Sequence, residues 1–169
     1  ATASPDRGGA QIALMNNTGI RADLIPGPDG TVTFGQIFAV QPFANALVTK
    51  SFTGKQLKAL LDQQFDGLSF DQAFSPSAGF SYAFDLSRPI GARVFDVRFN
   101  GAPLDDAKVY RVTMNSFLAG GGDSFTVFRD GSDVVNGPVD LEAMEEWLRG
   151  GSNRTFPALG RVRNLTPAK

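Results

Sequence analysis

The chain has 169 residues, of which 42% are hydrophobic and 20% are charged, as is usual for one globular domain. Its 16 basic and 17 acidic residues leave a net charge of -1, without a basic stripe or an acidic tail, so we expect neither nucleic acid nor a membrane as a partner. Histidine and cysteine are both absent, which excludes a Ser-His-Asp triad, a Cys-His site and an ordinary zinc site made by this chain alone.

The first fifty residues alternate between turn signals and short apolar runs. Residues 1–10 are small, polar and rich in glycine, and we expect them to form a loose segment. The run QIALMN (11–16) predicts a buried strand, and PGPDG (26–30) predicts a turn. The run TVTFGQIFAV (31–40) begins like a strand and can change into a short helix, whereas NALVTKSF (45–52) alternates like a strand.

The clearest helix signal lies in TGKQLKALLDQQF (53–65). Thr53 and Gln56 have the spacing of a capping box, in which each side chain binds an otherwise unpaired backbone amide of the first turn. Apolar side chains recur on one face of this helix, as expected for a buried stripe, at Leu57, Leu60, Leu61 and Phe65.

The second half of the chain contains more strand patterns. Alternating side chains predict strands in GFSYAFDL (79–86), ARVFDVRFNG (92–101) and KVYRVTMN (108–115), and the second of these closes on an Asn-Gly turn. The run GRVRNL (160–165) predicts a last strand.

A second helix is predicted over VDLEAMEEWLRGG (139–151). Asp140 is its expected N-terminal cap, and Gly150 and Gly151 can end it. Strands with a few helices between them predict an α+β (mixed α/β) fold of layered sheets with flanking helices, in one domain over residues 11–169. The expected buried stripe of the second helix consists of Leu141, Met144, Trp147 and Leu148.

Without histidine or cysteine, the composition favours a binding domain or one part of a larger enzyme, although carboxylate chemistry stays possible. Three segments combine residue types that suit ligand binding. The first, NNTGIRAD (16–23), follows a predicted strand, where α/β sheets often bind ligands. Asn16 offers an amide that donates and accepts hydrogen bonds, and Arg21 offers a planar guanidinium for phosphate or carboxylate. The structural alternative is a turn with one exposed arginine.

The second segment, QPFANAL (41–47), places an aromatic ring close to an amide. In an extended chain Phe43 and Asn45 point to the same side, so the ring could stack on a flat base while the amide binds its edge. The structural alternative is a core phenylalanine followed by an asparagine in a turn.

The third segment, FLAGGGDSF (117–125), follows the predicted strand 108–115. Phe117 offers a ring, and Asp123 offers a carboxylate for two neighbouring ribose hydroxyls. Its glycines, Gly122 among them, expose backbone amides and allow tight turns. No Gly-Lys-Ser/Thr follows, so the segment is not a phosphate-binding P-loop. The alternative is a tight turn between two core elements.

Together the three segments resemble the C-terminal domain of the 5'-nucleotidase / UDP-sugar hydrolase family. The resemblance covers about residues 11–165, and the motifs N-N-x-G-I-R, P-F-x-N and N-x-F-L-A-x-G-G-D-x-F are distinctive jointly. They lie, in the family's order and approximate spacing, in IALMNNTGIRADL, GTVTFGQIFAVQPFANALVTKSFTGKQLKALL and YRVTMNSFLAGGGDSF.

The resemblance implies that the domain binds a nucleoside or nucleotide as its substrate. Phe43 and Phe117 would hold the base between their rings, and Asn45 would face the edge of the base.

On the sugar and phosphate side, the resemblance implies that Asp123, next to Gly122, binds the ribose hydroxyls. Arg21 would meet the phosphate, and Asn16 would hold nearby substrate atoms.

The resemblance further implies a two-domain bacterial 5'-nucleotidase, a phosphoric monoester hydrolase in a periplasmic or secreted location. A pair of divalent metal ions (zinc, manganese or similar) would lie in an N-terminal metallophosphatase domain, which we expect to be absent from this chain together with the first helix of the C-terminal domain and a phosphate-binding arginine. This chain would then have no catalytic residue and no metal ligand, and would be inactive by itself.

Two alternatives stay open. The domain could belong to a 2',3'-cyclic phosphodiesterase/3'-nucleotidase or a UDP-sugar hydrolase, which differ in base and phosphate preference. It could also be a non-catalytic nucleotide-binding module that keeps the same fold.

Overall fold

The computed structural model describes residues 2–66, 73–150 and 158–168. The α-helices of this part are α1 (Phe34–Val40), α2 (Gly54–Asp62), α3 (Ser116–Ala119) and α4 (Asp140–Arg149). Its strands are β1 (Ile12–Met15), β2 (Ala46–Thr53), β3 (Ser75–Pro76), β4 (Phe80–Phe84), β5 (Val94–Phe99), β6 (Ala102–Pro103), β7 (Val109–Asn115), β8 (Ser132–Val139) and β9 (Val162–Asn164).

The strands form two mixed sheets. The first has the order β3-β1-β7-β2-β8, in which β1 and β7 are parallel and the other neighbours antiparallel. The second has the order β6-β5-β4-β9, in which β4 and β9 are parallel. Two mixed sheets with few helices confirm the predicted mixed α/β fold.

One apolar cluster joins the two sheets to α2. Strand β1 contributes Ile12 and Leu14, because alternate residues of a strand point to the same face. The predicted stripe of α2 is confirmed, since Leu57, Leu60 and Leu61 are all fully buried. The helix ends at Asp62, and a 3-10 turn over Gln63–Phe65 continues the chain. Phe65, the fourth residue of the predicted stripe, lies in this turn and is also buried.

Helix starts follow the side chains that can cap them. Thr53 and Gln56 form the predicted capping box, in which the Thr53 hydroxyl accepts from the Gln56 amide and the Gln56 side chain accepts from the Thr53 amide. Thr33 and Gln36 form a second capping box at the start of α1. The segment 31–40 was predicted to begin as a strand, but this cap makes it helical from Phe34 onward.

Residues 2–10 do not form the loose segment that was predicted for residues 1–10. Pro5–Arg7 form a 3-10 turn, Thr2 is buried, and the Thr113 hydroxyl donates to the Thr2 hydroxyl over 2.9 Å. Arg111 donates to the carbonyl oxygen of Gly8. Side chains of β7 therefore hold this segment on the sheet, although its own composition gives no sign of it.

The second predicted helix is observed, with differences at its start and on its apolar face. Its N-terminal cap is Val139, and Asp140 is the first helical residue, whose carboxylate accepts from the Leu141 amide. Of the predicted buried stripe, Leu141 is buried and Met144 and Leu148 are half-buried, whereas Trp147 is 44% exposed. The predicted stop at Gly150 is observed, and Gly151 lies outside the described residues.

Strand β8 was missed because its sequence, SDVVNGPV, contains a glycine, a proline and several polar residues. It is an edge strand with irregular register against β2, and edge positions tolerate such residues.

A buried polar network ties α2 to the second sheet. Gln64, fully buried, accepts hydrogen bonds at its amide oxygen from the Phe74 amide and the Tyr82 hydroxyl, over 2.6 and 2.8 Å. Its amide nitrogen donates to the carbonyl oxygen of Leu61. If Gln64 were apolar, the Phe74 amide would lose its acceptor inside the core, whereas the Tyr82 hydroxyl could still donate to the carbonyl oxygen of Phe74.

We expect Gln64→Leu to lower the free energy of unfolding by roughly 1–3 kcal/mol, because the buried Phe74 amide is left without its acceptor. Urea unfolding followed by circular dichroism measures the change. The neighbouring Gln63→Leu is the control. Its bonds to Thr126 and Val127 lie nearer the surface, so it should cost less than about 1 kcal/mol. Equal losses in the two variants would contradict a structural role for the network.

Candidate functional site

Four chain segments meet at one edge of the first sheet. Because β1 and β7 are parallel and Ala13 pairs with Thr113, the loops that follow both strands leave at the same edge. Leu47 of the antiparallel β2 pairs with Asn115, so the segment before β2 arrives there too. Ala46 pairs with Val139, which brings the start of α4 to the same edge.

A pocket of about 410 Å³ opens where these segments meet. Six of the seven predicted site residues line it, and three segments that are distant in sequence are thereby brought together. The predicted lining residues are Asn16, Arg21, Phe43, Asn45, Phe117 and Asp123. Met15, Thr18, Gly19, Asn115 and Asp140 complete the lining.

The carboxylate of Asp123 is held by side chains from the loop after β1. Its Oδ2 atom accepts from the Thr18 hydroxyl over 2.9 Å and from Asn16 Nδ2 over 3.1 Å. Asn16 is itself held, because Asn115 Nδ2 donates to its Oδ1 over 3.0 Å. Asn115 accepts in turn from the amide of Leu118 and so caps α3. The network joins the ends of both parallel strands.

The backbone of the third segment explains its glycines. Gly121 has a φ of 83° and Asp123 a φ of 52°, both in the left-handed region. Glycine reaches this region without strain, and aspartate does so more readily than most residues. A Cβ atom at Gly122 would lie 2.6 Å from atoms of the Phe117 ring. Gly122 therefore lets this ring lie close to the backbone, although it is not itself a lining residue.

Two aromatic rings in the lining are open to solvent. Phe43 is 56% exposed and Phe117 is 48% exposed. The guanidinium carbon of Arg21 lies 5.9 Å from the centre of the Phe43 ring, within the range of a cation–π contact. Arg21 also donates to the carbonyl oxygen of Thr18. The core-residue alternative for Phe43 is thus wrong.

The segment between Phe43 and the start of β2 is not extended as predicted. Ala44 has a φ of 50°, so the strand-like alternation of Phe43 and Asn45 does not hold, yet both side chains reach the pocket. Asn45 is fixed on both sides. Its Oδ1 accepts from the Ser116 hydroxyl over 3.1 Å, and its carbonyl oxygen accepts from the amide of Asp140 over 2.8 Å.

Asp140 is a buried carboxyl group in the pocket wall. Burial raises its pKa above the ordinary value, while hydrogen bonds from the backbone of Leu141 and Asn45 act in the opposite direction. Asp140 begins α4, and only the folded structure reveals the hydrogen bond from its backbone amide to Asn45.

Sequence reasoning missed Thr18, Asn115 and Asp140 as members of the site. Asn115 and Thr18 lie inside the motifs N-x-F-L-A and N-N-x-G-I-R, so their adjacency to predicted residues was the available signal. Asp140 was interpreted only as a helix cap. Nothing in the sequence indicates that its segment meets the other three.

The side chains of this site can form hydrogen bonds, stack on a flat molecule and pair with an anion. Carboxylate, amide and guanidinium groups surround two exposed rings, and histidine is absent. Within residues 2–66, 73–150 and 158–168, no group of three or more acidic residues could hold a metal ion. A pair of divalent metals therefore does not fit the residues in the described part of this chain. No helix among the described residues is long and apolar enough to cross a membrane.

Comparison with known proteins places the chain in a family. The profile of the family described as "5'-nucleotidase, C-terminal domain" matches residues 1–130. The Trifunctional nucleotide phosphoesterase protein YfkN of Bacillus subtilis is 34% identical over 165 residues, which cover 93% of this chain and 11% of that protein. Protein UshA of Escherichia coli is 29% identical over 153 residues, which cover 89% of this chain and 26% of that protein.

Solved structures agree with this assignment. The crystal structure of a 5'-nucleotidase precursor from Thermus thermophilus matches with a TM-score of 0.82 and 36% identity, over 96% of this chain and 33% of that one. The NAD nucleotidase NadN of Haemophilus influenzae matches with a TM-score of 0.74 and 25% identity, over 93% of this chain and 30% of that one. The chain thus spans a third or less of each of these four proteins. By its sequence and its fold, it belongs to the family of 5'-nucleotidase C-terminal domains.

Proposed function

We propose that this chain is the substrate-binding domain of a bacterial metal-dependent 5'-nucleotidase, and that its pocket binds the nucleoside part of a nucleoside phosphate. The single observation that carries the proposal is the pocket itself, in which two exposed rings, Phe43 and Phe117, lie near a fixed carboxylate and a guanidinium. This combination suits a flat base, a sugar and a phosphate in one ligand.

The base would lie between the rings of Phe43 and Phe117. Both rings are about half exposed, so solvent-exposed apolar surface would be covered when a base stacks on them. Stacking of a base on an aromatic side chain contributes about 1–3 kcal/mol. Asn45, whose oxygen is already bonded to Ser116, would present its amide to the edge of the base.

The sugar would bind at Asp123. Thr18 and Asn16 both donate to Oδ2 of this carboxylate, so they fix its orientation before a ligand arrives. The remaining acceptor positions can take the two neighbouring hydroxyls of a ribose. Asn16 contacts the same carboxylate and lies in the wall that the sugar would touch.

The phosphate would extend toward Arg21. Its guanidinium lies beside the Phe43 ring, and a planar guanidinium suits phosphate oxygens. The reaction itself would take place in a second, metallophosphatase domain of the same protein, where a pair of divalent metals would activate water for attack on phosphorus. That domain and a periplasmic or secreted location are part of the proposal and rest on family membership.

The principal alternatives concern the whole protein. Assays of the full-length enzyme on AMP, UDP-glucose and 2',3'-cyclic AMP separate a 5'-nucleotidase from a UDP-sugar hydrolase and a cyclic phosphodiesterase. A non-catalytic nucleotide-binding module is separated from all three by the coding sequence upstream, which must encode a metallophosphatase domain with its Asp and His ligands under our proposal.

We expect Phe117→Ala to weaken adenosine binding by about 1–3 kcal/mol, because one stacking surface is lost. Isothermal titration calorimetry of this chain with adenosine measures it. Because adenosine carries no phosphate, its binding does not require phosphate-binding residues or metal ions from outside this chain. Phe34→Ala is the matched control, since Phe34 is similarly exposed, at 59%, and does not line the pocket.

Equal affinities of the parent chain and Phe117→Ala for adenosine would show that the Phe117 ring does not contribute to binding. No binding by the parent chain, followed by binding to the full-length protein, would show that the pocket needs the rest of the protein. Failure of both would reject the nucleoside assignment.

We expect Asp123→Asn to reduce adenosine affinity by roughly tenfold or more, because hydrogen bonds to a charged acceptor contribute about 1.5–3 kcal/mol. Asparagine tolerates the left-handed backbone at this position, so the fold should be retained. The affinity for 2',3'-dideoxyadenosine, which lacks both hydroxyls, should stay unchanged. If the variant lost affinity for adenosine and for the dideoxynucleoside equally, this would contradict binding of the ribose hydroxyls by Asp123.

We expect Arg21→Gln to lower the affinity for AMP while leaving the affinity for adenosine nearly unchanged, because only AMP carries a phosphate for the guanidinium. Calorimetry with both ligands at low ionic strength measures the difference. Arg149→Gln is the control, since Arg149 lies at the far end of α4 and forms an ion pair with Glu145. A parallel loss for both ligands would contradict the phosphate assignment.

A further inference from the structure

Lys50 occupies a position where an apolar residue is expected. It lies in β2 between Val48 and Phe52, and side chains two residues apart in a strand share one face. Both neighbours on that face belong to the apolar core. Lys50 itself is only 8% exposed. A lysine is rarely buried to this extent unless its ammonium group is bonded.

The ammonium group of Lys50 is bonded to two backbone carbonyls. Its Nζ atom donates to the oxygen of Ala119 over 3.0 Å and to the oxygen of Phe128 over 2.8 Å. Burial lowers the pKa of Lys50, and the nearby charge of Asp130 acts in the opposite direction. Well-packed apolar residues often stabilise a core as well as buried charges do, so the advantage of a lysine here lies in what it holds.

The two carbonyls enclose the segment that carries Asp123. Ala119 is the last residue of α3, and its carbonyl has no further turn of helix to bind. Phe128 lies nine positions later and is fully buried. Between them the chain passes through left-handed residues at Gly121, Asp123 and Ser124. Such a segment keeps its shape only when its surroundings hold it.

A second cation holds the same segment from the solvent side. Arg129 Nε donates to the carbonyl oxygen of Gly120 over 2.9 Å. The guanidinium covers Gly121 so closely that a side chain there would collide with it. Arg129 is exposed, whereas Lys50 acts from within the core. The segment is therefore fixed on both sides, and the lysine joins its two ends.

We propose that Lys50 is a positioning residue for the ribose site, which sets the place of the Asp123 carboxylate by holding the carbonyls of Ala119 and Phe128 together. The proposal rests on the proposed nucleoside-binding function. Lys50 does not line the pocket and acts only through the backbone of segment 119–128. Its loss should therefore affect recognition of the ribose hydroxyls more than recognition of the base.

The test compares adenosine with 2',3'-dideoxyadenosine in calorimetric titrations of the parent chain and of Lys50→Met. Methionine keeps the apolar length of the side chain and removes the donors. We expect the preference for adenosine over the dideoxynucleoside to fall at least about threefold, because part of a charge-assisted hydrogen-bond contribution is lost. Lys55→Met, an exposed lysine of α2, is the control and should keep the full preference.

Loss of general stability would lower both affinities together, whereas misplacement of Asp123 lowers only the affinity for adenosine. A preference in Lys50→Met equal to that of the parent overturns the proposal. If Lys50→Met does not fold, Lys50→Gln takes its place, because its neutral amide keeps a donor for one carbonyl. We expect an intermediate preference in that variant, and a full preference would overturn the proposal.

Amide hydrogen exchange on the ligand-free chain tests Lys50 independently of any nucleoside. We expect amides in segment 119–125 to exchange at least about threefold faster in Lys50→Met, while those paired between β2 and β7 stay protected. If neither the parent chain nor the full-length protein binds adenosine, the proposed function fails on that result alone. Unchanged exchange in the segment would overturn the role of Lys50 whether or not adenosine binds.

Discussion

The parallel pairing of β1 with β7 is the constraint on which the site depends. Since Ala13 lies opposite Thr113, both strands point the same way and release their loops at one edge of the sheet. Asn16 follows β1 directly, and Asn115 ends β7, so their side chains meet in a hydrogen bond. An antiparallel pairing of the same two strands would send the loops to opposite edges. Every later feature of the pocket requires that these loops start side by side.

Polar contacts connect the segments that meet at this edge of the sheet. Asn115 caps α3 and donates to Asn16, and Asn16 and Thr18 both donate to Oδ2 of Asp123. Buried polar groups that are fully bonded specify one arrangement, because each alternative leaves a group unpaired. The site thus has an ordered carboxylate on strained backbone beside two rings that stay open to solvent.

The composition of the pocket fits a division between recognition and chemistry. A chain without histidine or cysteine, and without an acidic cluster among its described residues, offers hydrogen bonds, stacking surfaces and a guanidinium. Under the proposed function, the bond-breaking groups lie in another domain, and this one selects the ligand. The partial span of the relatives is consistent with that division, since the chain covers 33% of the Thermus thermophilus 5'-nucleotidase precursor. Under our proposal for Lys50, a residue of the core serves the site as well as the fold.

The sequence alone determined the local elements and the residue types of the site. The capping box at Thr53, the stripe of α2 and the motifs around Arg21, Phe43 and Asp123 depend on neighbours in the chain, so periodicity and spacing reveal them. It did not determine the packing of residues 2–10 on β7, the edge strand β8 or the exposure of Trp147, because these depend on contacts with segments distant in sequence. The same holds within the site. Ala44 turns the chain where an extended segment was predicted. Thr18 and Asp140 become part of the site through hydrogen bonds to residues about a hundred positions away, Asp123 and Asn45 respectively. Only the tertiary structure decides such contacts, since sheet pairing selects which strand ends become neighbours.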